Sequence, residues 1–86
     1  MTEISCKITH KDGLHARPAA EFCKIAGRYE SRIVLKKDDE EFEAKSILMV
    51  LSAGAACGDT VTVSAEGKDE GEAVRALTEF LTKREV

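Results

Sequence analysis

Residues 3–27 read EISCKITHKDGLHARPAAEFCKIAG, and the spacing of their apolar residues changes period partway along. Ile4, Cys6 and Ile8 alternate with Glu3, Ser5 and Lys7, the pattern of a strand with one dry face and one wet face. Lys11, Asp12 and Gly13 supply the turn that ends it. From Ala16 the repeat is helical: Ala19, Phe22, Cys23 and Ala26 fall at i, i+3, i+4 and i+7, and Gly27 stands where a helix would stop. Pro18 fits the first turn of that helix, because an N–H there would have no intrahelical acceptor and the ring holds φ near its helical value.

The same reading extends outward. Arg32 to Lys36 carries the run Ile33, Val34, Leu35; Asp38 and Asp39 supply a turn, and Glu41, Phe42 and Glu43 alternate again, which makes a hairpin. Ser46 precedes the apolar stretch Ile47 to Leu51 and Gly54 follows it, as in a short helix with a serine N-cap, although a strand is the alternative for so short a run. Val61, Val63 and Ala65 alternate with Thr60, Thr62 and Ser64 in a strand whose hydroxyls face outward, and Glu66 and Gly67 end it. Asp69 and Glu72 have capping-box spacing ahead of a last helix marked by Ala73, Val74, Leu77, Phe80 and Leu81, with Lys83 and Arg84 suiting its C-terminus. The order βαββαβα predicts an α+β fold, a four-stranded antiparallel sheet with three helices on one face.

Composition narrows the function. Eighty-six residues, 43% apolar and 34% charged, suffice for a single domain spanning 1–86 and are too few for two. Leu, Ile, Val and Phe make up 20 of the 86, enough to fold around one thin core without a deep substrate cavity. Thirteen Lys and Arg against 16 Asp and Glu give a net charge of -3, which repels polyanions, and 3 Phe with 1 Tyr and no Trp leave little for base stacking, so nucleic acid is not an expected partner. No apolar run approaches the ~18 residues of a membrane span and the start lacks a signal-peptide pattern, so the expected compartment is the cytoplasm. Cys6, Cys23 and Cys57 are odd in number, widely spaced and form no C-x-x-C pair, which predicts reduced, mostly packed thiols rather than a disulfide framework or a zinc site. His10 has no ligand-spaced neighbours and reads as a surface residue; no metal is expected. No dinucleotide fingerprint or P-loop occurs around Gly54 and Gly58.

His15 stands between the Gly13 turn and the helix that begins at Ala16. Its imidazole therefore borders the backbone N–H groups of Ala16 and Arg17, at a place where anions bind. The helix dipole disfavours a cation there, which favours a neutral, nucleophilic imidazole. A phosphoryl group on that ring would face the same N–H groups and the guanidinium of Arg17, whose fork matches phosphate oxygens. The residues also allow a plainer reading, in which His15 caps the helix and Arg17 is a solvated charge. Asp12 is accounted for by the turn and is kept outside the site.

The run Gly13, Leu14, His15, Ala16, Arg17, Pro18, Ala19, Ala20 resembles the active-site segment of HPr, the histidine-containing phosphocarrier family of the bacterial phosphoenolpyruvate:sugar phosphotransferase system. Ala44, Lys45, Ser46, Ile47 and then Gly54 resemble the family's second signature, and Ser64, Ala65, Glu66, Gly67 lead into its last helix. The resemblance implies the family's open-faced β-sandwich and a carrier without cofactor, not a complete enzyme. It implies that His15 accepts a phosphoryl group on Nδ1 from enzyme I, as a pros-phosphohistidine, and passes it to sugar-specific IIA proteins or domains. Arg17 would stabilise the group in transfer.

Ser46 has two compatible roles, an N-cap hydroxyl and the regulatory phosphorylation site known in the family, which brings HPr kinase/phosphorylase and a catabolite regulator into view as partners. Leu48 and Met49 stand where Met and Gly often occur in the family. On spacing alone Ile47, Leu48 and Leu51 belong to the core. The resemblance instead implies that this helix offers apolar side chains to partners, with Lys24, and also Arg28 and Lys45, adding positive charge. Two other functions compete: a signalling module working through Ser46, whose family representatives often lack the histidine, and a hydrolase using His15 as base, for which no nucleophile or oriented acid is at hand. Transient docking at one exposed residue predicts a monomer.

Overall fold

The computed structural model describes residues 1–11 and 13–83. In chain order the elements are β1 (Thr2–Lys7), α1 (Ala16–Ala26), β2 (Arg32–Lys37), β3 (Glu40–Glu43), α2 (Ile47–Ser52), β4 (Thr60–Glu66) and α3 (Glu70–Thr82). The four strands form one antiparallel sheet in the order β1-β4-β2-β3, with Val63 paired to Ile4 on one side and Leu35 on the other. This is the expected architecture. Ile33, Leu35, Val61, Val63 and Ala65 cover the inner side of the sheet and are buried against Ala19, Phe22 and Ala26 of α1 and Val74, Leu77 and Leu81 of α3.

Local chemistry explains the connections. Asp38 and Asp39 both adopt positive φ, 49° and 66°, as a two-residue hairpin turn of the right hand requires. Short acidic side chains tolerate that conformation, and the strands therefore run one residue further on each side than the apolar pattern indicates, to Lys37 and Glu40. The 47–52 segment is helical, not extended: Ser46 Oγ accepts the Met49 N–H at 3.4 Å, and Gly54 turns the chain away at φ +61°.

Several side chains depart from the sequence expectations, each for a reason of tertiary structure. Ile4 is 42% exposed instead of dry, because β1 is an edge strand. Ser64 is buried instead of outward in water: β4 is central, and Met1 lies over it with Sδ 3.1 Å from the serine hydroxyl. Asp69 precedes α3 but makes no capping bond. Its carboxylate accepts the N–H groups of Glu30 and Ser31, both at 2.9 Å, and the Ser31 hydroxyl. The start of α3 is secured by Glu70 instead, which accepts the Gly67 N–H at 3.3 Å, the Thr2 hydroxyl at 2.6 Å and the amino terminus at 3.1 Å. His10 is buried and not on the surface. All three cysteines are free thiols; burial raises the pKa of Cys6 and Cys23, whereas Cys57 is exposed rather than packed. Lys83 closes α3; Arg84, and Asp12 of the first turn, lie outside the described residues.

Candidate functional site

A strap of chain between β1 and α1 delivers His15 to the surface. Ile8 at its start is buried, with its N–H on the Asp59 carbonyl at 2.9 Å and its own carbonyl accepting the Gly58 N–H at 2.8 Å. Gly13 donates to the His10 carbonyl at 3.0 Å, and Leu14, buried, donates to the Ala55 carbonyl at 2.9 Å. Gly13 has φ +65°, and a Cβ there would stand 2.6 Å from the Ala55 oxygen, so only glycine lets the strap lie this close to the 53–59 loop.

His15 is the N-cap of α1 in extended conformation, φ -76° and ψ -173°. Its carbonyl accepts the Ala19 N–H at 2.7 Å, the first bond of the helical ladder. The N–H groups of Ala16 and Arg17 therefore stand ahead of the ladder, and Pro18 has none to offer. The His15 ring makes no capping bond to the helix, so the residue caps α1 through its backbone alone. His15, Ala16 and Arg17 are exposed. The local arrangement combines an accessible imidazole, two forward-facing amides and a guanidinium two residues along, which can receive a tetrahedral dianion.

The apolar run of α2 divides by face. Val50 is fully buried, while Ile47, Leu48, Met49 and Leu51 are 41, 76, 40 and 36% exposed. Spacing assigned Ile47, Leu48 and Leu51 to the core, yet a six-residue helix lying against α1 has room to bury only its inner side. Met49 joins them in the exposed apolar set. Lys24 is exposed in the last turn of α1. Lys45 donates to the Tyr29 carbonyl at 2.7 Å, which ties the start of this region to the chain leaving α1.

Sequence reasoning missed the supports of His15. The Ala55–Ala56 backbone packs on Gly13, and Asp59 holds that loop by accepting the Ala56 N–H at 2.9 Å. Their signal was the pair Gly54 and Gly58 bracketing small residues, which marks a tight loop. Among the described residues no group of three or more His, Cys, Asp or Glu side chains could hold a metal ion, and no helix is long and apolar enough to cross a membrane.

A family model described as the PTS HPr component phosphorylation site matches residues 2–83. The HPr-like protein Crh of Halalkalibacterium halodurans is 42% identical over 96% of the chain and 99% of its own length. A crystal structure of HPr from Thermoanaerobacter tengcongensis is 44% identical, covers 94% of the chain and 91% of its own, and superposes with a TM-score of 0.91. HPr from the same organism, solved as a dimer, is 46% identical with a TM-score of 0.72, covering 92% of the chain and 91% of its own.

Proposed function

The chain belongs to the HPr family of phosphotransferase-system phosphocarriers, and from that membership we propose that His15 is its phosphoryl acceptor. The observation that carries this reading is the exposed His15 imidazole, uncommitted to capping, beside amides that precede the helical ladder. In the proposed transfer the lone pair of Nδ1 attacks phosphorus of phosphorylated enzyme I, an N–P bond forms, and the bond to the donor breaks with its electron pair remaining on enzyme I. The Ala16 and Arg17 N–H groups and the Arg17 guanidinium neutralise the charge on the phosphoryl oxygens. The second half repeats the step in reverse, with a sugar-specific IIA protein or domain as acceptor. The protein is thus a relay component rather than an enzyme with its own substrate, working in the cytoplasm as one domain.

Docking falls to the exposed apolar side of α2, with Lys24 and Arg17 supplying cationic contacts to an acidic partner surface. Ser46 at its N-cap suits phosphorylation by HPr kinase/phosphorylase: phosphate at the helix start keeps α2 folded but adds negative charge to the docking side, and makes a ligand for a catabolite regulator. The likeness to Crh of Bacillus subtilis, described as a catabolite repression HPr, favours such a regulatory role as the second reading. The protein acts as a monomer, to be checked by sedimentation because a relative has been solved as a dimer.

The deciding experiment incubates the protein with phosphoenolpyruvate, magnesium and an enzyme I shown to autophosphorylate, then records intact mass before and after mild acid. One acid-labile phosphoryl group, absent from His15→Ala, is the expected result. No transfer would move the function to Ser46.

A further inference from the structure

The last carbonyls of any helix lack intrahelical donors and must find them elsewhere. In α3 the strap that carries His15 supplies donors to two of them, beside the Lys83 N–H on Phe80 O at 3.4 Å. Leu81 O accepts the Thr9 N–H at 3.0 Å, and Phe80 O accepts His10 Nε2 at 2.6 Å. Because the partner is a carbonyl oxygen, Nε2 must carry the proton. The His10 ring is buried and lies on the Phe80 ring at 4.7 Å between centroids, and Phe80 in turn lies 6.4 Å from Phe22 of α1. The backbone carbonyl of the same histidine receives the Gly13 N–H. His10 therefore joins three things: the end of α3, the aromatic contact to α1, and the turn that sets the direction of approach to His15.

We propose that His10 is a positioning residue for His15, fixing the strap at the C-terminus of α3 so that the His15 imidazole stays aimed beside the Ala16 and Arg17 amides. The proposal rests on the carrier reading for its kinetic consequence and on geometry alone for its spectroscopic one. Among the described residues the strap is held by the Thr9 N–H on Leu81 O, by the His10 side chain on Phe80 O and by the Leu14 N–H on Ala55 O. With the His10 bond released, the strap keeps the Thr9 and Leu14 bonds but loses the side-chain donor that stops it sliding over Phe80. The imidazole of His15 then samples a wider range of directions, and misplacement of a reacting group is costly in rate even where the fold is intact.

The test compares the wild type with His10→Ala, with His10→Phe, which keeps a ring on Phe80 but has no donor, and with His10→Gln, whose amide restores a donor at the Nε2 position. Transfer from phosphorylated enzyme I should slow roughly tenfold in kcat for His10→Ala and His10→Phe, with KM within about twofold, and His10→Gln should recover most of the loss. The NMR chemical shifts of the His15 ring at fixed pH should be displaced in the first two variants and restored in the third. Unchanged kcat and unchanged His15 ring shifts in His10→Phe would overturn the proposal, as would losses that follow thermal stability alone and are not rescued by glutamine. If the wild type accepts no phosphoryl group, the carrier reading fails, and the His15 ring shifts by themselves decide whether His10 positions that ring.

Discussion

A methyl group added at Gly13 would meet backbone on two sides, 2.6 Å from the Ala55 oxygen and 2.7 Å from the Ala56 Cα, in a conformation that alanine adopts at a penalty. Backbone cannot rotate away as a side chain can. Gly13→Ala should therefore lower stability by about 1–3 kcal/mol in urea denaturation and slow phosphoryl acceptance as well, because the strap must lift from the 53–59 loop to relieve the contact. Wild-type stability in this variant would show that the loop gives way instead. Arg17 is the contrasting case. It is exposed, so Arg17→Ala should leave stability within about 0.5 kcal/mol while lowering the rate of transfer from enzyme I on the order of 10²-fold. Arg17→Lys should recover only part, since an ammonium restores charge but not the fork. Equal rates for all three proteins would leave the backbone amides as the sole stabilisers of the phosphoryl group.

At the scale of elements, α2 divides a buried side from an exposed apolar side within six residues. Val50 holds the helix to the molecule, Leu48 is 76% exposed, and the Ser46 cap is long at 3.4 Å. Leu48→Glu should raise the KM for phosphorylated enzyme I about fivefold or more with an unchanged melting curve, whereas Ser46→Ala should cost only about 0.5 kcal/mol, the low end for an N-cap. If Leu48→Glu leaves KM unchanged, α2 is not the docking side. The two helices of this region were legible in the sequence because their signals are local: period, cap residue, terminal glycine. The hairpin was legible because two adjacent aspartates mark its turn. Other features are set by pairs far apart in sequence. Which strand lies at the edge decides that Ile4 is exposed, and Ser31 draws the Asp69 carboxylate away from capping across 38 positions. His10 packs on the end of α3, 70 positions later. The site followed the same division: His15, Ala16 and Arg17 stood in one motif, but their supports at Ala55, Asp59 and Phe80 came from other elements.

At the scale of the whole molecule, two carboxylates at the start of α3 tie together parts of the chain that folding must bring together. The Ser31 hydroxyl, then the Glu30 N–H, hold the Asp69 carboxyl below its usual range. The Thr2 hydroxyl, then the Gly67 N–H, do the same for Glu70. The unfolded chain lacks these donors, so on acidification it takes up protons at a higher pH than the folded protein does. The stability these groups contribute is accordingly present above the ordinary carboxylate range and is lost as pH falls through that range to the lower folded values. Urea midpoints should stay level from pH 7 to about 5 and then decline. Asp69→Asn should lower the midpoint at pH 7 and decline less steeply in acid, since one of the protons taken up on unfolding is gone. High salt should change the Asp69 share of the curve little, because its donors are neutral groups at contact distance, and should weaken the Glu70 share, which includes the ion pair with the amino terminus. An acid limb identical in wild type and Asp69→Asn would show that Asp69 does not link the Glu30–Ser31 segment to α3 in solution, and Thr2→Val, which removes the first donor to Glu70, would then show whether Glu70 alone accounts for the decline.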